Sequence, residues 1–311
     1  MSDNSPKSSH VATAVAPVSF GFMRLGTLLE AACHNAGLTQ TSHVRLLGTE
    51  EKWAAVEIAV AIGDTPIADA RQHLRLAFDG IADIALIPAR NRKKRLLVSD
   101  MDSTIIQQEC LDELAAYAGL KDEIAAITAR AMAGELDFEG ALTERGGKLN
   151  GLSLDALQQC YDERITLMPG GRTLTATMSA NRGFCLLVSG GFTFFTARVA
   201  QVAGFDSDRG NTLMDDGTAL TGEVGRPILG REAKLDALDD AAYANGLNRL
   251  DALAMGDGAN DLAMIEAAGL GLAVHAKPIV AEAADAAINI TDLTTALYFQ
   301  GYTDSEIVWR E

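Results

Sequence analysis

Positive charge is scarce in this sequence. Its 26 lysines and arginines face 42 aspartates and glutamates, a formal net charge of −16. A protein that follows a phosphate backbone needs a basic surface, so nucleic acid is not an expected partner. Cysteine is scarce as well. Cys33, Cys110, Cys160 and Cys185 are scattered, with no CxxC pair. That argues against a disulfide framework or a thiolate zinc site and suits reduced thiols in a cytoplasmic protein. No uninterrupted apolar run reaches the roughly 20 residues of a membrane helix, so no membrane partner is expected. The opening MSDNSPKSSH lacks the apolar core of a secretory signal. The five histidines, His10, His34, His43, His73 and His275, form no cluster and sit in no motif.

The material present is that of an ordinary globular chain of two domains, 48% hydrophobic over 311 residues. Residues 1–12 read as a flexible tail, 13–89 as a first unit and 90–311 as a second. The first unit holds a weak strand at Val11–Val18 and a helix over Met23–Ala36, with Leu25, Leu28, Leu29 and Ala32 on one face. Strands follow near His43–Leu47 and Ala54–Ile62. A second helix, Ile67–Phe78, is entered through Thr65 as N-cap and Pro66 as first residue, and a strand covers Ile81–Ile87. This βαββαβ order resembles the α+β ferredoxin-like fold of ACT domains, which implies a regulatory or dimerisation unit and allows a homodimer. The basic cluster Arg90, Arg92, Lys93, Lys94 and Arg95 reads as a solvated linker between the units.

Beyond it, apolar runs alternate with amphipathic stretches. Strands are expected at Arg95–Ser99, Phe184–Ser189, Leu250–Met255, Leu270–Val274 and Ala287–Ile290. Such alternation implies an α/β unit whose parallel sheet is covered on both faces. A helical insertion over about 105–165 is long enough to cap it, and Asn211–Val224 reads as a β-hairpin around an Asp-Gly turn. Ligands in open parallel sheets bind beyond the carboxyl ends of the strands.

Four segments fall at or near those ends. Asp100-Met101-Asp102 can place two carboxylates on one side of an extended chain, although a lone DxD more often just caps a helix. Ser189-Gly190-Gly191 offers a hydroxyl and backbone N–H groups to an anion. Leu187 stands where a nucleophile-elbow glycine would be, so this is not GxSxG. Lys234, alone, would be a surface lysine. Gly256-Asp257-Gly258-Ala259-Asn260-Asp261 is neither a dinucleotide fingerprint nor an EF-hand loop. Asp100 and Asp257 together suit an octahedral Mg²⁺ that also takes a phosphate oxygen. An aspartate attacking phosphorus would form an aspartyl-phosphate, with the second aspartate as acid and base.

In this order and spacing, SDMDST, VSGG, Lys234 and GDGAND resemble the haloacid dehalogenase (HAD) superfamily of phosphatases. The resemblance implies a HAD-like Rossmannoid sheet, with Asp100 as nucleophile and Asp102 as acid/base. It places Ser189, Gly190 and Lys234 on the phosphoryl group. Mg²⁺ would be held by Asp100, the Asp102 carbonyl and Asp257, with Asp261 supporting. Glu109, Met132, Phe138, Arg145, RITLMPGG, Asn211-Thr212-Leu213, LTGEV and Asn260 resemble the phosphoserine phosphatase branch. That implies Glu109 on a substrate ammonium and Arg145 on its carboxylate. Met132 and Phe138 would form apolar cap walls, and Asn260 would face the substrate. The expected substrate is O-phosphoserine, in the last step of serine synthesis. GRPILGREAKL departs from the usual lead-in to the lysine. The alternatives are a HAD phosphatase or phosphotransferase for another small phosphomonoester, and a non-catalytic amino-acid sensor.

Overall fold

The computed structural model describes residues 9–48, 52–132, 135–230 and 232–311. The first unit runs β1 (His10–Pro17), α1 (Phe22–Asn35), β2 (Leu38–Gln40), β3 (Arg45–Gly48), β4 (Trp53–Ile62), α2 (Ile67–Phe78) and β5 (Asp83–Pro88). β4 pairs antiparallel with β1 on one side and with β2 and β3 on the other, and β1 pairs with β5. The two faces follow the period of two. Ala12, Ala14, Val56, Ile58, Ile84 and Leu86 pack under Leu25 and Leu29 of α1 and Leu74 and Phe78 of α2. Val15, Ala55, Ala85 and Ile87 face the other way, into a core shared with Leu297, Tyr298, Phe299 and Ile307 near the carboxyl terminus. A strand covered on both faces is apolar almost throughout, hence the run AAVEIAVAI, whose one charge, Glu57, is paired with Arg92.

Several expected boundaries move. β1 begins at His10, inside the expected tail, because Ser9 and His10 already run alongside Val60. Thr65 does not cap α2. Pro66 occupies the N-cap and no side chain bonds there. β5 starts at Asp83, since the Ile81 and Ala82 N–H groups still bond Phe78 at the end of α2. In the basic cluster Arg90, Lys93 and Arg95 are exposed, as expected of a solvated linker, but Arg92 and Lys94 are not. Arg92 donates to Glu57 at 2.8 Å and to the Phe299 carbonyl at 3.0 Å. The Lys94 ammonium is bonded to the Leu250 carbonyl at 2.8 Å, and Lys94 is buried.

The second unit opens with β6 (Leu96–Ser99) and four cap helices: α3 (Cys110–Tyr117), α4 (Lys121–Met132), α5 (Phe138–Lys148) and α6 (Leu154–Arg164). It continues with α7 (Gly171–Ala180), β7 (Phe184–Phe192), α8 (Thr193–Ala203) and β8 (Ser207–Asn211). The hairpin β9 (Leu213–Asp215) and β10 (Leu220–Val224) follows, then α9 (Ala233–Ala244), β11 (Ala252–Gly256), α10 (Leu262–Ala267) and β12 (Leu270–Val274). The chain ends with α11 (Pro278–Ala283), β13 (Ala286–Ile288) and α12 (Thr295–Phe299). The strand order is β13-β12-β11-β6-β7-β8, all parallel. β11 starts two residues later than expected, because Asn248 and Asp251 box a short 3₁₀ turn over Arg249–Asp251. β13 ends at Ile288, where the chain turns to give its next three N–H groups to Asp83.

The two units are not separate layers. β13 pairs antiparallel with β5 at Ala286 and Ala85, so both belong to one 11-stranded sheet. The cap closes on its stem through a bridge between Ile106 and Leu167. The hairpin reaches the cap through a second bridge, Ser153 to Ala219. Among the described residues, no helix is long and apolar enough to cross a membrane.

Candidate active site

The central strands β6, β7 and β11 all release their functional residues at the same sheet edge. Asp100 follows β6, and its N–H still bonds the Met255 carbonyl of β11 at 2.9 Å. One carboxylate oxygen, Oδ1, accepts the Met101 N–H at 2.8 Å and the Lys234 ammonium at 2.7 Å. The chain then turns through Ser103, a non-glycine residue in the left-handed region (φ 53°). This turn brings Asp102 back over the cleft. Its Oδ1 accepts the Cys110 N–H at 2.9 Å, at the start of α3, and its Oδ2 accepts the Ser189 hydroxyl at 3.3 Å. Asp102 therefore does bond a helix start, but it also faces Ser189.

Close approach explains the glycines of β7. A Cβ on Gly190 would sit 3.1 Å from the Phe138 ring, and one on Gly191 would sit 3.3 Å from Asp102 Oδ2. Across the cleft, the Gly256–Asp261 loop folds around Asp261. Its Oδ2 accepts the Asp257 and Gly258 N–H groups at 3.1 and 3.0 Å, and its Oδ1 takes Lys234 at 2.5 Å. A Cβ on Gly256 would fall 2.4 Å from that same Oδ2, so only glycine fits. Lys234 is 3% exposed and lies under the cleft floor between two aspartates.

The cap supplies the other wall. Asp137 caps α5 by accepting the Gly140 N–H at 2.7 Å, which sets Phe138 as the first helical residue. Phe138, Leu142 and Arg145 then share one helix face and all line the cleft. Glu109 lines it too, its carboxylate accepting the Ser103 hydroxyl at 2.7 Å. Asp100, Asp102, Ser189, Gly190, Asp257 and Asn260 complete the walls of a space of about 210 Å³. Thus the expected residues converge, apart from Lys234 and Asp261, which lie beneath the floor, and Met132, whose side chain lies outside the described residues. A larger cavity of about 1220 Å³ lies at the junction of the two units, lined by Lys52, Arg172, Asp292 and Trp309. It holds none of the four motifs, so size alone does not mark the site.

Sequence reasoning missed Lys277, which lines the cleft and gives its N–H to the Asp257 carbonyl at 3.2 Å. The available signal was its place just beyond β12, at the same sheet edge as the other three segments.

The electrostatics are those of crowded, buried acids. Burial, and then Asp261, push the Asp100 carboxyl well above the usual range, against the pull of Lys234. Burial raises Asp102 too, opposed by the hydrogen bond from Cys110. Burial followed by Asp102 lifts Glu109 to about 7. Burial would lower the Lys234 ammonium, but Asp100 and Asp261 hold it above its ordinary value. Oxygens of Asp100, Asp257 and Asp261 lie within 4.8 Å of one another. Hard oxygen donors with excess negative charge fit a divalent cation such as Mg²⁺. Both Asp261 oxygens already serve Lys234 and loop N–H groups, the arrangement of a support rather than a ligand.

Comparison with known proteins places these residues in a family context. The haloacid dehalogenase-like hydrolase family model matches residues 97–266. A phosphoserine phosphatase of Streptomyces coelicolor is 42% identical over 255 residues, which cover 81% of this chain and 62% of that protein. This chain therefore spans less than two thirds of that relative. A phosphoserine phosphatase of Archaeoglobus fulgidus is 38% identical over 242 residues, 77% of this chain and 70% of its own. Among solved structures, a HAD family hydrolase of Salmonella enterica serovar Typhi is similar at TM-score 0.80 and 27% identity, covering 93% of this chain and 98% of its own. A substrate-bound phosphoserine phosphatase is similar at TM-score 0.61 and 35% identity, covering 67% and 98%.

Proposed function

The chain belongs to the haloacid dehalogenase-like hydrolase family, and from that premise we propose that it is a Mg²⁺-dependent phosphoserine phosphatase. It would hydrolyse O-phospho-L-serine to L-serine and phosphate. One observation carries the choice of substrate. A single small cleft presents Asp100, Asp102 and Ser189 at its floor and Glu109 and Arg145 on its cap wall. Phosphoserine has a phosphate for the first set and an ammonium and a carboxylate for the second. The relatives named phosphoserine phosphatase support the same reading.

In this reading an Asp100 oxygen attacks phosphorus as the phosphorus–serine oxygen bond breaks. Asp102, whose raised carboxyl favours the protonated form, gives its proton to the leaving serine oxygen. It then takes a proton from the water that cleaves the aspartyl-phosphate and frees phosphate. Ser189 and the Gly190 N–H orient the phosphoryl oxygens, while the Gly191 N–H holds Ser189 Oγ. The Lys234 ammonium on Oδ1 aims Asp100 and pulls it toward the charged form. Asp100, the Asp102 carbonyl and Asp257 would hold Mg²⁺, which would supply charge compensation between the carboxylate and the phosphate dianion.

Phosphate release from a panel of phosphomonoesters, with and without Mg²⁺, tests the reading. Preference for a phosphosugar would move the chain to another HAD phosphatase activity, and no turnover at all would favour a sensor. The cap contacts have their own test. Arg145→Ala should lower kcat/KM for phosphoserine by on the order of 2–5 kcal/mol, because a desolvated carboxylate loses its partner. Hydrolysis of p-nitrophenyl phosphate, which has no carboxylate, should change far less. Equal loss on both would make Arg145 structural.

Glu109 predicts a pH dependence. Its carboxyl titrates near 7 in the free protein, so it is neutral below that value and charged above it. Only the charged form attracts the substrate ammonium. kcat/KM for phosphoserine should therefore rise as pH rises through about 7. The p-nitrophenyl ester, sharing only the phosphate, should lack this limb, and Glu109→Gln should remove it. A limb that persists in Glu109→Gln belongs to another group.

Residues 13–89 are proposed as the ACT-like regulatory or dimerisation unit, supported by the strand order β3-β4-β1-β5 with both helices on one face. A cytoplasmic location goes with the reading, supported by four buried free thiols.

A further inference from the structure

We propose that Asn211 is a positioning residue that locks the phosphate-binding turn of β7 to the segment leading into Lys234. The proposal rests on the phosphatase reading above. Asn211 is the last residue of β8, opposite Phe192 of β7, and is 2% exposed. Its amide reaches two separate segments, β7 at Gly190 and the lead-in to Lys234 at Leu229. Nδ2 donates to the Gly190 carbonyl at 2.9 Å and to the Leu229 carbonyl at 3.3 Å. Oδ1 accepts the Leu229 N–H at 2.7 Å.

The first bond sets the orientation of a peptide plane. In a trans peptide the carbonyl of Gly190 and the N–H of Gly191 point in opposite directions. Drawing the carbonyl back into Asn211 leaves the N–H turned the other way, where it bonds Ser189 Oγ at 2.9 Å. With that lone pair occupied, the Ser189 hydroxyl is set to donate, and it donates toward Asp102 Oδ2 at 3.3 Å. A phosphoryl oxygen in the cleft would meet the same prearranged donor. The second pair of bonds fixes Leu229, within the stretch that departs from the usual family lead-in to the lysine.

Only asparagine meets both requirements at this length. Aspartate would accept from Leu229 but would set a carboxylate oxygen against two carbonyls. Leucine would leave buried polar groups of both segments unmatched. Because the effect passes through the phosphate-binding turn, it must be blind to the rest of the substrate, unlike that of Arg145.

Asn211→Asp and Asn211→Ala should be assayed with phosphoserine and with p-nitrophenyl phosphate, alongside inhibition by inorganic phosphate. We expect kcat to fall about 10–100-fold on both esters, in equal proportion. Phosphate inhibition should weaken, and the Gly191 amide should exchange with solvent faster. Asn211→Ser, which keeps a donor and an acceptor on a shorter side chain, should restore part of the rate and serves if Asn211→Asp does not fold. Wild-type kcat and phosphate inhibition in a folded Asn211→Asp overturn the proposal. So does a loss confined to phosphoserine. Wild-type preference for a different phosphomonoester would overturn the substrate reading while leaving the p-nitrophenyl and exchange measurements to judge Asn211.

Discussion

Asp100→Asn should abolish turnover on every phosphomonoester while leaving the melting temperature unchanged or raised. The chemical loss follows from the covalent step. An amide cannot form the aspartyl-phosphate, and no other carboxylate has the same exit from β6 with an oxygen on the Lys234 ammonium. A loss on the order of 10⁴-fold or more is expected for a nucleophile that acts as part of a unit. The stability expectation follows from burial. Asp100 is 5% exposed, and burial and Asp261 both oppose its charge. Neutralising it relieves that conflict, while Lys234 keeps Asp261 at 2.5 Å as its counter-ion. Asp102→Asn should instead slow both chemical steps by about 10²–10⁴-fold and leave substrate binding intact. Near-wild-type activity in Asp100→Asn would refute the assignment. A collapse of the melting temperature would mean that Asp100 serves the fold rather than the reaction.

How legible this site was depends on what kind of residue carries each part. Asp100, Ser189 and Asp257 could be read from one sequence because each ends an apolar run, and parallel strands place their carboxyl ends on one edge. Glu109 and Arg145 had no such marker. Charged residues in amphipathic helices ordinarily face water, and only resemblance to a family singled them out. Arg145 instead shares a helix face with Phe138 and Leu142, a spacing visible in the sequence but ambiguous without the cleft. Lys277 was overlooked because no motif surrounds it, although its position after β12 obeys the same edge rule.

The fold shows a matching division. α1, α2 and the long strands were readable from period, but β2 and β8 were not. β2 has only three residues, and β8, Ser207–Asn211, is an edge strand with the polar sequence SDRGN. What periodicity could not reveal was the junction. Asp83, Arg92 and Glu57 look like surface charges in sequence, and their partners lie up to 208 residues away. Long-range pairing of this kind has no local signature.

That junction leads to the second large effect expected. A chain beginning at Arg90 should aggregate or melt at least roughly 10 °C below the full protein. The loss would not be of catalytic groups, since all four motifs lie beyond residue 90. It follows from what the first unit covers. Leu297, Tyr298, Phe299 and Ile307 pack with Val15, Ala55, Ala85 and Ile87 in one core, which truncation would open to water. Truncation would also leave β13 as a bare edge and remove the carboxylate of Asp83. That carboxylate accepts the N–H groups of Asn289 at 2.8 Å, Ile290 at 3.1 Å and Thr291 at 2.9 Å, with the Thr291 hydroxyl at 2.5 Å. Asp83→Ala in the full chain isolates this contribution. It leaves donors without an acceptor at a site 4% exposed, at a cost of about 3 kcal/mol. A melting temperature lower by roughly 5–10 °C should result, with kcat/KM for phosphoserine close to that of the wild type at a temperature where both are folded. If Asp83→Ala melts with the wild type and the chain from Arg90 stays soluble and active, the shared sheet contributes nothing to stability and the units are independent. If instead Asp83→Ala keeps its melting temperature but loses activity, the junction acts on the catalytic cleft, and the first unit regulates the second through β13.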